Sequence, residues 1–118
     1  MQDNLMYPTG NNPVGTRVLT MGAAGTADMS QFEIIKLGST AATAVNLINP
    51  VIGRIYYITA TGTGTNNRVV TFTGCTINAT GNNTATLNAI DELLVVKCVT
   101  ATTYIVISNV GAVALSTV

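Results

Sequence analysis

Chemistry has few places to start in this chain. The adjacent carboxylates Asp91-Glu92 stand just ahead of an apolar run, Leu93 to Val96, and a pair of acids is the least that general acid and base catalysis needs. On a strand, however, successive side chains point to opposite faces, so the pair would not converge on one substrate. It reads instead as a polar turn leading into a buried strand. The remaining acids, Asp3, Asp28 and Glu33, have no motif around them, and the chain contains no histidine. That one absence takes away the commonest general base, the usual triads and most transition-metal ligand sets.

Other patterns fare no better. Thr61-Gly62-Thr63-Gly64-Thr65-Asn66-Asn67 has the glycines of a phosphate-binding loop but not its lysine, and no helical pattern follows it. It reads as a hairpin connection. Asn78-Ala79-Thr80 and Asn82-Asn83-Thr84 match the glycosylation acceptor pattern, which chance explains in a chain rich in Asn and Thr that opens without a secretory signal. The cations Arg17, Lys36, Arg54, Arg68 and Lys97 are scattered along the sequence, whereas a phosphate-binding surface needs them clustered under net positive charge. Cys75 and Cys98 fall in β-rich runs and read as small buried hydrophobes rather than a disulfide pair. These residues predict a non-enzymatic protein with no cofactor, no metal and no nucleic-acid partner.

The elements that carry these residues are short. The 118 residues suffice for one core. Five basic residues balance five acidic ones, only 8% of residues are charged, and the mean hydropathy is +0.44, which is apolar for a soluble monomer. No apolar run approaches the roughly 18 residues of a membrane helix, and the strands are mostly shorter than the roughly ten residues a membrane barrel needs. Burial between subunits is the expected way to cover the excess apolar surface.

Residues 1–16, with Pro8 and Pro13 and little periodicity, predict an extended N-terminal arm whose Leu5, Met6 and Tyr7 would dock on a neighbour. Residues 17–118 predict a single all-β domain. Candidate strands are Arg17 to Met21, Phe32 to Leu37, Ala44 to Ile48, Arg54 to Thr59, Arg68 to Thr73, Thr76 to Ala79, Thr84 to Leu87, Leu93 to Val99 and Thr103 to Ser108. Asn49-Pro50, Gly62 to Asn67, Gly74 and Gly81-Asn82-Asn83 supply the turns. Ala23 to Ser30 predicts one helical turn at most, and the apolar tail from Val110 predicts a last strand within the domain or against a neighbour. Strands spaced near ten residues apart point to a compact antiparallel sandwich, jelly-roll-like or tulip-like, or to a small barrel.

Alternation exposes an anomaly in two of these strands. In Arg54 to Thr59, Tyr56 and Ile58 share one face while Ile55 and Tyr57 look the other way; in Leu93 to Val99, Leu94, Val96 and Cys98 oppose Leu93, Val95 and Val99. A strand apolar on both sides needs cover on both. One side is the core, and the other is expected to be covered by a second subunit, an arm or a loop; the first of these makes Leu93, Val95 and Val99 candidate subunit contacts in a closed homo-oligomer.

The run Gly53-Arg-Ile-Tyr-Tyr-Ile-Thr-Ala-Thr-Gly62, then Arg68-Val-Val-Thr-Phe-Thr-Gly74, Thr84-Ala-Thr-Leu87, Asp91-Glu-Leu-Leu-Val-Val96 and Thr103-Tyr-Ile-Val-Ile-Ser108 resembles the small β domains of tailed-bacteriophage structural proteins. It is most similar to the capsid decoration, or cement, proteins, over roughly residues 50 to 110. The resemblance implies a homotrimer, made in the host cytoplasm and seated on the outer capsid surface of the virion, that stabilises the phage head by bridging major capsid subunits. It implies a capsid contact through Leu5, Tyr7 and Arg17 and a trimer contact through Leu93, Val95 and Val99. The competing reading is a trimeric tail-fibre or head-fibre tip that binds a host receptor or glycan; against it, the aromatics fall in strands and the loops carry Thr, Gly and Asn.

Overall fold

In the computed structural model, residues 17–78 and 81–117 are described. Among them the chain forms eleven β-strands and no helix. They are β1 (Val18–Met21), β2 (Gly25–Asp28), β3 (Ile34–Leu37), β4 (Thr43–Ile48), β5 (Ile55–Ala60), β6 (Arg68–Phe72), β7 (Thr76–Ile77), β8 (Thr84–Leu87), β9 (Leu93–Thr100), β10 (Thr103–Val110) and β11 (Ala114–Ser116). They build two sheets, sheet A in the order β1-β3-β5-β9-β10-β7 and sheet B in the order β11-β8-β6-β4-β2.

The first six strands alternate between the sheets. β1, β3 and β5 lie side by side and parallel in sheet A, and β2, β4 and β6 do the same in sheet B. Each pair of successive strands is therefore one coil of a β-solenoid. Parallel neighbours need a crossover connection, ordinarily a helix; here the strand in the other sheet serves as the crossover. The solenoid then ends: β9 runs antiparallel to β5, β8 antiparallel to β6, β10 folds back on β9, and β11 on β8. The expectation of antiparallel pairing thus holds for β8 to β11, whereas β7 lies parallel to β10 and the N-terminal half is parallel throughout. The physical reason is that alternation marks a strand and its faces, and it is the same whether the neighbour runs up or down.

One further expectation changes, and another is met. Ala23 to Ser30 contributes β2 rather than a helical turn, although Gly-Thr-Ala-Asp has weak β propensity; its backbone is recruited by register with β4, Gly25 facing Val45 and Asp28 facing Ile48. The C-terminal tail pairs within the domain, Leu115 opposite Ala85. The turns fall at the expected residues, except that Gly62 to Asn67, expected as a hairpin connection, instead crosses from β5 in sheet A to β6 in sheet B. Asn49, with φ at 57°, shows why asparagine serves at a turn: its side chain reaches Asp28 Oδ1 at 3.4 Å while its backbone takes a conformation few residues tolerate.

The core lies between the sheets. From sheet A come Ile35, Leu37, Tyr56, Ile58, Leu94, Val96, Cys98 and Tyr104; from sheet B come Ala27, Val45, Leu47, Val70, Phe72, Ala85 and Leu87. Tyr104 joins the layers, its ring 4.8 Å from that of Phe72 and 6.1 Å from that of Tyr56, both edge-on, the arrangement that ring quadrupoles favour. The Tyr56 hydroxyl donates to Met29 O at 2.7 Å and accepts from Val51 N at 3.0 Å, so its burial leaves no polar atom stranded. Cys75 and Cys98 are buried free thiols, and burial pushes both pKa values up.

Candidate functional site

With the inner faces spent on the core, the outer faces remain. On sheet B the register aligns Thr26, Asn46, Thr71, Thr84 and Ser116 in one row across all its strands. Beside it run Ala44, Val69, Thr86 and Ala114. This surface is small, polar and uncharged in its main row. The Thr84 hydroxyl is itself paired with Ser116, 2.6 Å from its Oγ and 3.0 Å from its carbonyl oxygen.

Sheet A is different. Its register aligns Val18, Ile34, Tyr57, Val95 and Ser108 across five strands. A second row runs Thr20, Lys36, Thr59, Leu93 and Val110, and a third Ile55, Lys97 and Ile105. Val18, Ile55, Tyr57, Ile105 and Val110 are all solvent-exposed, Tyr57 by 40%. A register shift between Val106 and Ser108 adds one residue to β10, leaving Ile107 exposed by 53% at the bulge. Apolar residues scattered singly on a surface need no explanation, but these are contiguous.

The residues singled out from the sequence fall as follows. Leu93, Val95 and Val99 are all on this outer face, with Leu93 and Val99 half-buried and Val95 nearly covered by its neighbours. Leu5 and Tyr7 lie outside the described residues. Arg17 does not present a free charge: its Nη2 donates to Glu33 Oε2 at 2.7 Å and its backbone amide to Glu33 Oε1 at 3.3 Å. The alternation of Ile55 with Tyr57 pointed to half of the face; that Val18, Ile34 and Ile105 join it required the register.

Glu33 holds the densest electrostatic cluster. It is buried, and Arg54 Nη1 also approaches its Oε2 at 3.1 Å. Burial alone would raise the Glu33 pKa; the hydrogen bonds from Arg17 and the charges of Arg17 and Arg54 outweigh it and hold the carboxyl below the ordinary glutamate range. Both guanidiniums also reach Ser30 O, Arg54 at 3.1 Å and Arg17 at 3.4 Å. The cluster ties the entry to β1 onto the β2–β3 and β4–β5 connections as a structural clasp.

Arg68 is a second clasp of another kind. It points inward at the start of β6, fully buried, with Nε donating to Ser39 O at 2.6 Å and Nη2 to Gly62 O and Thr63 O at 3.0 and 2.7 Å. Carbonyls rather than a carboxylate receive it, and Nη1 has no protein acceptor. The glycine-rich segment read as a connection is therefore locked: a Cβ on Gly62 would collide with the Ser39 carbonyl. Glu92 does similar service at the other turn, its Oε1 accepting from Asn88 N at 2.7 Å and Ala89 N at 3.1 Å. The Asp91-Glu92 pair is thus divided, Glu92 capping the turn and Asp91 exposed beside it.

Among the described residues, no three of Cys, Asp and Glu gather as metal ligands, and no helix is long and apolar enough to cross a membrane. The arrangement offers surfaces and clasps rather than converging acids and nucleophiles. No protein-family model matches the chain, and no curated protein or solved structure matches it significantly.

Proposed function

We propose that this protein is a non-enzymatic structural virion protein, a capsid decoration or cement protein that assembles as a homotrimer on the outer surface of a phage head and bridges major capsid subunits. The observation that carries the reading is the outer face of sheet A, an apolar surface continuous from Val18 to Val95 through Ile34 and Tyr57. A surface of that kind is stable in water when another protein covers it. The jelly-roll-like or tulip-like likeness belongs to the same proposal; its support is the stacking of two sheets and the antiparallel half, while the parallel coils depart from it. In this reading the segment around Leu5 and Tyr7 reaches the capsid, and Arg17, clasped by Glu33, fixes the point from which it leaves the domain.

The test is the mass of the purified protein in solution, followed by pelleting with empty phage heads. A trimer that co-sediments with heads supports the proposal. A trimer that ignores heads and binds host cells or envelope polysaccharide transfers the function to a tail-fibre or head-fibre tip. A monomer that ignores heads overturns both the assembly and the capsid role.

A further inference from the structure

Which part of a second copy covers the outer face of sheet A is constrained by charge. The face carries Lys36 and Lys97 and no carboxylate, and among the described residues neither lysine has an ion-pair partner. Packing two such faces against each other about a two-fold axis would bring four ammonium groups into one drying interface with nothing to compensate them. The occupant must instead bring apolar surface together with a carboxylate.

Among the described residues one element does so. Between β8 and β9, Ile90 is 50% exposed and stands beside exposed Asp91. The turn is rigid: Glu92 Oε1 holds the amides of Asn88 and Ala89, Asp91 N donates to Ala60 O at 3.0 Å, and Asp91 itself adopts φ of 69°. A preformed projection loses little conformational entropy on docking. It cannot serve its own face at Lys97, because Lys97 lies six residues beyond Asp91, roughly 20 Å along an extended chain.

We propose that the Ile90-Asp91 turn of one copy seats on the outer face of sheet A of the next, Ile90 against Tyr57 and Ile105 and Asp91 against Lys97. The contact is head-to-tail, so repeating it closes a ring when the rotation permits. It rests on the reading above only in requiring several copies.

Sedimentation of the full chain at micromolar concentration tests it, with Lys97→Glu and Ile90→Asp measured beside the unaltered protein. Each substitution is expected to weaken association at least tenfold while the thermal melt stays within a few degrees. In addition, Ile90→Cys and Ile105→Cys proteins, one of them isotopically heavy, are mixed under oxidised glutathione. A disulfide joining heavy to light chains is expected in the mixture and not in either variant alone. A monomeric unaltered protein, unweakened variants, or a mixture without the cross-link overturns the contact. Head pelleting separates the two proposals: an oligomer broken by these substitutions that never pellets keeps the contact and loses the capsid role, whereas pelleting heads with an unaffected oligomer does the reverse.

Discussion

The two outer faces of this sandwich are both laid out in continuous rows of paired residues, yet they meet water in opposite ways. Across sheet B the central row is Thr26, Asn46, Thr71, Thr84 and Ser116; across sheet A it is Val18, Ile34, Tyr57, Val95 and Ser108. The difference is not one of overall hydropathy but of where the excess is placed. A chain with five cations and five anions cannot shield every strand with charge, so it shields one sheet with hydroxyls and amides and leaves the other apolar.

Several substitutions break or sharpen that contrast. The largest effect is expected where the two faces are held back to back: Tyr104→Ala removes the ring between Phe72 and Tyr56 and should cost about 3–5 kcal/mol in urea unfolding. A loss below about 1 kcal/mol would mean that the layers are joined elsewhere.

Next comes a paired comparison of the faces themselves. Tyr57→Asp on sheet A should weaken self-association about a hundredfold, or about 2.8 kcal/mol, by sedimentation, while Thr71→Asp at the matching place on sheet B leaves it unchanged. Equal effects at the two sites would erase the distinction drawn between the faces.

Glu33 controls whether the apolar row is complete. Glu33→Gln leaves Arg17 and Arg54 without their shared carboxylate and should cost about 2 kcal/mol, loosening β1 and Val18 with it. Because the Glu33 pKa is depressed in the folded protein, its contribution is fully present above the ordinary value of 4.5 and is lost as pH falls below it through the folded value. Acid unfolding should therefore begin below about pH 4.5 and be blunted in the Gln variant; identical acid profiles would remove Glu33 from the account.

The smallest effect belongs to the polar face. Thr84→Val forfeits the hydroxyl contacts to Ser116 and should cost about 1 kcal/mol without altering sedimentation. Any change in oligomeric state would show that sheet B also carries an interface.

Much of this was legible from residue types. Period-two alternation marked most strands, including β3, β5, β6, β8 and β9, and it placed Leu93, Val95 and Val99 on the side away from Leu94, Val96 and Cys98. The doubly apolar strands announced an uncovered surface before its extent was known, and Asp91-Glu92 announced a turn. These features are local: they depend on which side of a pleat a residue occupies, and adjacent residues settle that between themselves.

Tertiary structure decided everything that depends on which strands are neighbours. The parallel coils carry no internal sequence repeat because the coils differ in length, Val18 lying opposite Ile34 but Ile34 opposite Tyr57. β2 exists because β4 offers it an edge, not because Gly-Thr-Ala-Asp prefers to be extended. The convergence of Arg17 and Arg54 on Glu33, and of Arg68 on the Ser39 carbonyl, joins residues far apart in the chain. Composition and alternation thus determined that this protein would have an apolar surface left over; only strand pairing, a long-range choice made by the packing of whole sheets, decided that the surplus would gather on one face.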